Sequence, residues 1–186
     1  MEPAPVSIAD AVSNELKGER VLWAASPNRW AYASRYWKTA VFGIPFAAFA
    51  IFWTYQVSHI PAKGDQSFSF FGFLWGLMFV GFGLSMLLSP LWAAWTATNV
   101  YYVVTDRRAV IFEKPFRLKI QSFPPSAVAT YERVSNGGLG GNIIFQRISE
   151  GSGRGTRIRE IGFVGVKEYA SAVRALDELV SRGVAA

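Results

Sequence analysis

Two long stretches without a charged side chain, parted by a short polar break, constrain this chain more than any other feature. Between Thr39 and Ala62 there is no Asp, Glu, Lys or Arg. Lys63 and Asp65 interrupt, and Gln66 to Thr105 is again uncharged. A bilayer core about 30 Å thick needs about 20 mostly apolar helical residues, and each stretch can supply them. The expectation is a transmembrane hairpin over 37–95, with helices near 39–57 and 70–92. The alternative, a buried soluble helix pair, would carry a polar stripe on each helix, and these stretches carry none. Trp37, Trp53, Trp92 and Trp95 fall at or near the expected helix ends. They read as membrane-interface anchors, because indole has an apolar body and a polar edge.

Charge orients the hairpin. Arg29, Arg35 and Lys38 precede the first helix, and Arg107, Arg108 and Lys114 follow the second. The connecting loop holds Lys63, balanced by Asp65. The positive-inside rule then places both termini in the cytoplasm and a short loop outside. The first 35 residues contain no apolar run of signal-peptide length, so the first helix is expected to stay as an anchor. Gly72 with Gly76, and Gly43 with Ala47, have the spacing that lets helix backbones approach closely. That serves packing within the hairpin or association between hairpins. Pro45 and Pro90 can kink a membrane helix without breaking the span. Neither helix contains an acidic or basic residue, which argues against a transporter or channel.

The chain has no cysteine and one histidine, His59, in the loop. Disulfides, thiolate metal sites and cysteine nucleophiles are thereby excluded, and histidine clusters and Ser-His-Asp triads have too few members. From residue 97 onward, 13 Lys and Arg stand against 8 Asp and Glu. Such a balance suits an anionic membrane surface or an acidic partner. A membrane anchor accounts for it without nucleic acid.

Outside the hairpin, residues 6–17 read as a short amphipathic helix within an N-terminal segment 1–17. Ser7 and Asp10 suggest a capping box, and Ile8, Val12 and Leu16 form its apolar stripe. A first strand is expected near 19–25, within 18–30. Further strands are expected near 99–105, 109–113, 117–123, 127–134, 142–149 and 156–162, with turns at Pro124-Pro125, Gly137-Gly138 and 151–155. The last segment, 167–182, changes to helical period, with Tyr169, Val173, Leu176 and Val180 on one face. The fold class is therefore a membrane α-helical hairpin inserted into a mainly-β barrel, whose remainder, 97–186, is capped by a C-terminal α-helix.

GERVLWAASP at 18–27, YYVVTDRRAVI at 101–111, GNIIF at 141–145 and GFVGVKEYASAVRAL at 162–176 carry a resemblance. In their order, and with two apolar helices after the first, the chain resembles membrane-anchored bacterial pleckstrin-homology (PH) domain proteins. The resemblance implies a PH-like barrel on the cytoplasmic face of a bacterial inner membrane. It implies association with a protein partner or with another copy of the chain, and no cofactor. A shared fold does not fix a ligand, so phosphoinositide binding is not carried over.

Arg107 and Arg108 are candidates for lipid phosphate or partner contact, since a guanidinium fork matches phosphate oxygens. Their other reading is a solvated hairpin turn, with Asp106 supplying turn geometry. Arg147, Arg154, Arg157 and Arg159 surround the turn at 151–155 as a candidate basic rim for anionic headgroups or a partner; their other reading is ordinary surface charge. The glycine run 137–141 lacks the Gly-Lys-Ser/Thr ending of a phosphate loop and precedes a strand, so it reads as a connection. Asp177 and Glu178 are adjacent on the last helix and point apart. No nucleophile, base or metal set emerges. The expectation is a non-catalytic interaction module in the bilayer, with recognition of anionic headgroups as the alternative.

Overall fold

The computed structural model describes residues 2–59, 66–135, 140–152 and 155–184. In chain order these form helix α1 (Ala9–Glu15), strand β1 (Val21–Ala25), helix α2 (Arg29–Ala33), a 3-10 turn at Ser34–Tyr36, and the long helices α3 (Trp37–Ser58) and α4 (Gln66–Ala97). There follow β2 (Val100–Thr105), β3 (Ala109–Glu113), β4 (Lys119–Phe123), the short helix α5 (Pro125–Val128), β5 (Glu132–Ser135), β6 (Gly141–Ser152), β7 (Gly155–Val166) and α6 (Tyr169–Val184). The chain divides into two compact units: residues 33–93, and residues 1–32 together with 94–186.

The first unit is the pair α3 and α4. Both are long and apolar enough to cross a membrane. They are built the reverse way from a soluble helix pair. Small residues point inward: Gly43, Ala47 and Ala50 are buried on α3, while Phe42, Ile44, Phe49, Ile51 and Phe52 are exposed. Only 22% and 11% of the most apolar window of each helix is buried, which does not fit a soluble core. The glycines allow the backbones to meet. A Cβ on Gly83 would lie 2.8 Å from the Cα of Ala47, and one on Gly76 would lie 3.2 Å from the Cα of Thr54. Gly72 and Gly43 likewise face Val57 and Met86, so the small-residue spacing is used within the hairpin. The helices extend past the expected ends on both sides, and Pro45 and Pro90 lie inside them without ending them.

The second unit has two antiparallel sheets, ordered β1-β2-β3-β4 and β5-β6-β7, and a C-terminal helix. The expected closed barrel is not what these elements form: among the described residues the two sheets stay separate. The first sheet is covered on both faces. One face turns Trp23, Val100, Tyr102, Val104 and Ile111 toward Phe145 and Phe163 of the second sheet and Leu176 and Leu179 of α6. Phe163 is the hub, with ring centroids 4.8 Å from Tyr102 and Phe145 and 5.7 Å from Trp23. The other face turns Tyr101, Val103, Val110 and Phe112 toward Ile8 and Leu16, with Val12 packed alongside. Every residue of β2 is therefore buried, and its sequence is a continuous apolar run rather than an alternating one.

Two local expectations fail for physical reasons. No capping box forms: α1 begins after Ile8 without a side-chain cap, and the Ser7 hydroxyl donates instead to Asn99 Oδ1 at 2.9 Å. The strand expected at 127–134 is replaced by α5 and a shorter β5. Pro125 sits at the first helical position, where its fixed φ favours a helix, and Val128 is buried against the core.

Candidate functional site

Arg108 does not point into solvent. Its Nε and Nη2 reach Glu19 Oε1 at 2.8 and 2.7 Å. Its Nη1 donates to Glu15 Oε1 at 3.0 Å and to Ser122 Oγ at 2.8 Å, and Nη2 donates to the Glu15 carbonyl at 3.1 Å. The hydrogen bond it donates to Glu19 is the largest influence holding the guanidinium pKa above its ordinary value. Thr105 is fully buried beneath it. The Thr105 hydroxyl accepts the backbone N–H groups of Arg107 and Arg108 at 3.2 and 3.0 Å and lies 2.8 Å from Glu19 Oε2. Asp106 Oδ1 accepts the Arg20 N–H at 3.0 Å. The Thr-Asp-Arg-Arg turn is thus a latch that ties the N-terminal segment to the β2–β3 hairpin. Arg107 is exposed beside it.

Register locates this latch. β2 runs antiparallel to β3, with Val100 opposite Glu113 and Val104 opposite Ala109. The latch lies at the Thr105 end of β2, about 20 Å from its Val100 end over six residues at roughly 3.3 Å each.

The Val100 end is different. The Lys114 N–H donates to the Asn99 carbonyl at 3.0 Å, which fixes the β3–β4 turn, residues 114–118, beside the chain leaving α4. Phe116 in this turn is 77% exposed, and Arg117, Leu118, Lys119 and Ile120 follow as an unbroken exposed run. Next to Asn99, a cleft of about 430 Å³ is lined by Glu2, Ser26, Asn28, Arg29, Trp30, Ala97, Thr98 and Lys167. Glu2 Oε2 accepts the Ser26 N–H at 3.0 Å, while its Oε1 lies 3.9 Å from Lys167 Nζ, a weak pair between exposed groups. Asn28 shapes the rim: its N–H donates to the Gly165 carbonyl at 2.7 Å, and its side-chain oxygen accepts the Trp30 N–H. Gly165 has φ +68°, and a Cβ there would press on Ala31 and the Asn28 carbonyl. The sequence reading missed this rim. Its signal is a turn with Lys114, Arg117 and Lys119, one aromatic and no acid between Lys114 and Ile120.

The remaining candidates scatter. Arg147 pairs with Glu132 at 2.7 Å and Glu160 at 3.3 Å on the exposed face of the second sheet. Arg154 lies outside the described residues, as do Gly137 and Gly138. Arg157 and Arg159 lie on β7, opposite Glu150 and Ile148, and their side chains fall outside the description. Trp37, Trp53, Trp92 and Trp95 are each about half exposed, at 56%, 48%, 54% and 50%. Tyr131 donates to Asp177 Oδ1 at 2.5 Å and accepts from Arg133 at 2.8 Å. Burial, then the bond to Asp177, raises the Tyr131 pKa. Among the described residues no three His, Cys, Asp or Glu side chains group to hold a metal ion. No protein-family model, curated protein or solved structure matches the chain.

Proposed function

We propose that the chain is a bacterial inner-membrane protein that presents a PH-like, non-catalytic module to the cytoplasm, where the module binds a protein partner. The hairpin is the anchor, and both termini lie on the cytoplasmic side with Arg29, Arg35, Lys38 and the basic C-terminal part. The observation that carries the reading is the open edge of β4. Among the described residues it pairs with β3 on one side and with no strand on the other. Ile120 on it, and Leu118 just before it, are 37% and 42% exposed. Such an edge is a template for an added strand. Arg117 and Lys119 set the partner's character, since like charges would oppose one another when two copies pair through this edge, whereas an acidic extended segment is attracted. Holding the module on a membrane raises its effective concentration toward other membrane proteins, so a short strand can suffice. The interior supports a binding rather than a catalytic role: it is filled by Val, Ile, Phe and Leu side chains.

The test is site-specific photo-cross-linking in native membranes, from Gln121 on β4 and from Arg107 at the other end of β3. A discrete protein adduct from 121, absent from 107 and lost in Leu118→Glu with Ile120→Glu, is expected. The same adducts from both positions, indifferent to those substitutions, would end the reading. Arg107→Glu is expected to leave the adduct intact.

A further inference from the structure

The end of the strand-bearing unit where α4 arrives has the make-up of a surface that meets lipid headgroups. Lys114, Arg117 and Lys119 lie on or beside the β3–β4 turn, and Arg29 and Lys167 line the adjoining cleft. Against them stand Glu2, already bound to Ser26 N–H, and Glu113, opposite Lys119 in the register. Lys114 Nζ donates to the Ser7 carbonyl at 2.7 Å, a contact that leaves its charge uncompensated. The apolar tip is Phe116, with Trp30 at 56% exposure on the cleft rim. Asn99, which accepts the Lys114 N–H, is two residues past the last residue of α4, Ala97.

We infer that the β3–β4 turn is an anionic-phospholipid contact, in which Phe116 enters between headgroups while Lys114 and Arg117 on the turn, together with Arg29 and Lys167 of the cleft, take the phosphates. An aromatic ring with cations around it suits the interface, where apolar body and charge are satisfied at different depths. The inference goes beyond the protein-partner reading and rests only on the hairpin lying in a bilayer. It also assigns different residues from the arginine latch, whose Arg108 is taken up by Glu15 and Glu19.

The absence of native cysteine makes the test direct. The full chain is spin-labelled at Phe116→Cys, or at Arg107→Cys as the far-end control. It is reconstituted in vesicles of phosphatidylcholine alone or with phosphatidylglycerol. In the anionic vesicles the label at 116 is expected to become accessible to oxygen and shielded from a water-soluble nickel complex. The label at 107 stays in water. Arg117→Glu, checked for an unchanged thermal midpoint, and high salt are both expected to return 116 toward the values at 107. A label at 116 that matches 107 in both vesicle types overturns the inference. So does one equally shielded in neutral and anionic vesicles, which would make the contact apolar only. Shielding found in native membranes but in neither vesicle type would assign the turn to a protein instead. The cross-linking from Gln121 reads the β4 edge separately, so the two proposals fail independently.

Discussion

Arg107 and Arg108 are neighbours with opposite duties, and substitution should separate them. Arg108 is held by Glu19, Glu15 and Ser122, and the Glu19 side chain is only 9% exposed. Arg108→Ala leaves that carboxylate largely buried without its cation, at a cost of about 2 kcal/mol. Arg107 is exposed, and its truncation should change stability by less than about 0.5 kcal/mol. Thermal unfolding of the full chain in detergent checks both. Equal midpoints for the two variants would remove the latch from the account. Tyrosine gives the pH counterpart. Burial, followed by Asp177, raises the Tyr131 pKa above its ordinary 10.0. A phenol whose folded pKa is raised contributes stability that is complete below the unfolded value and lost as pH climbs through the folded one. The chain should therefore destabilise above pH 10, and Tyr131→Phe should flatten that fall. An unchanged slope in the variant would show that the bond to Asp177 does not stabilise the fold.

At the scale of elements, the helical hairpin depends on where glycine stands rather than on how many there are. Gly83 meets the backbone of Ala47, whereas a Cβ on Gly81 would meet nothing within 4 Å. Gly83→Leu should lower the thermal midpoint in detergent by forcing the helices apart, and Gly81→Leu should leave it level or raise it, leucine being the better helix former. Matching losses would mean that the pair is not held by close approach. The same elements show what was legible in the sequence. Uncharged length announced α3 and α4, and alternating or β-branched runs announced β1, β2 and β3, because those signals are local. The closing of a barrel is not local. It depends on which edges pair, and β4 and β5 are separated by α5, which the Pro124-Pro125 step starts. The occupation of Arg108 was equally hidden. Its partners, Glu15 and Glu19, are 93 and 89 residues away, and no spacing rule links charges across an inserted hairpin. The rim around Phe116 fell between and onto the strands expected near 109–113 and 117–123, because exposure is a property of the folded sheet.

Considered as a whole molecule, the strand-bearing unit is discontinuous, and its continuity runs through the N-terminal segment. The chain leaves toward the hairpin past Arg29 and Trp30 and returns at Ala97 and Thr98, and these residues line one cleft. Its two crossing points are thus close enough for a short Gly/Ser linker to join Tyr32 to Ala94, since loop closure costs little over such a span. That fusion should unfold cooperatively on heating, as a unit with its own core does. The same fusion without residues 2–17 should not. The deletion strips Ile8, Val12 and Leu16 from Tyr101, Val103, Val110 and Phe112, and takes Glu15 from Arg108. Fully burying one aliphatic side chain contributes about 1.5–3 kcal/mol, and a domain's net stability is only about 5–15 kcal/mol. Losing the packing of Ile8, Leu16 and Val12 therefore consumes much of the margin before the latch is counted. The shortened fusion should bind a hydrophobic dye and lose its sharp thermal transition. If it melts at the same temperature as the longer one, the second core is dispensable and the N-terminal segment is a tail, free to serve a partner.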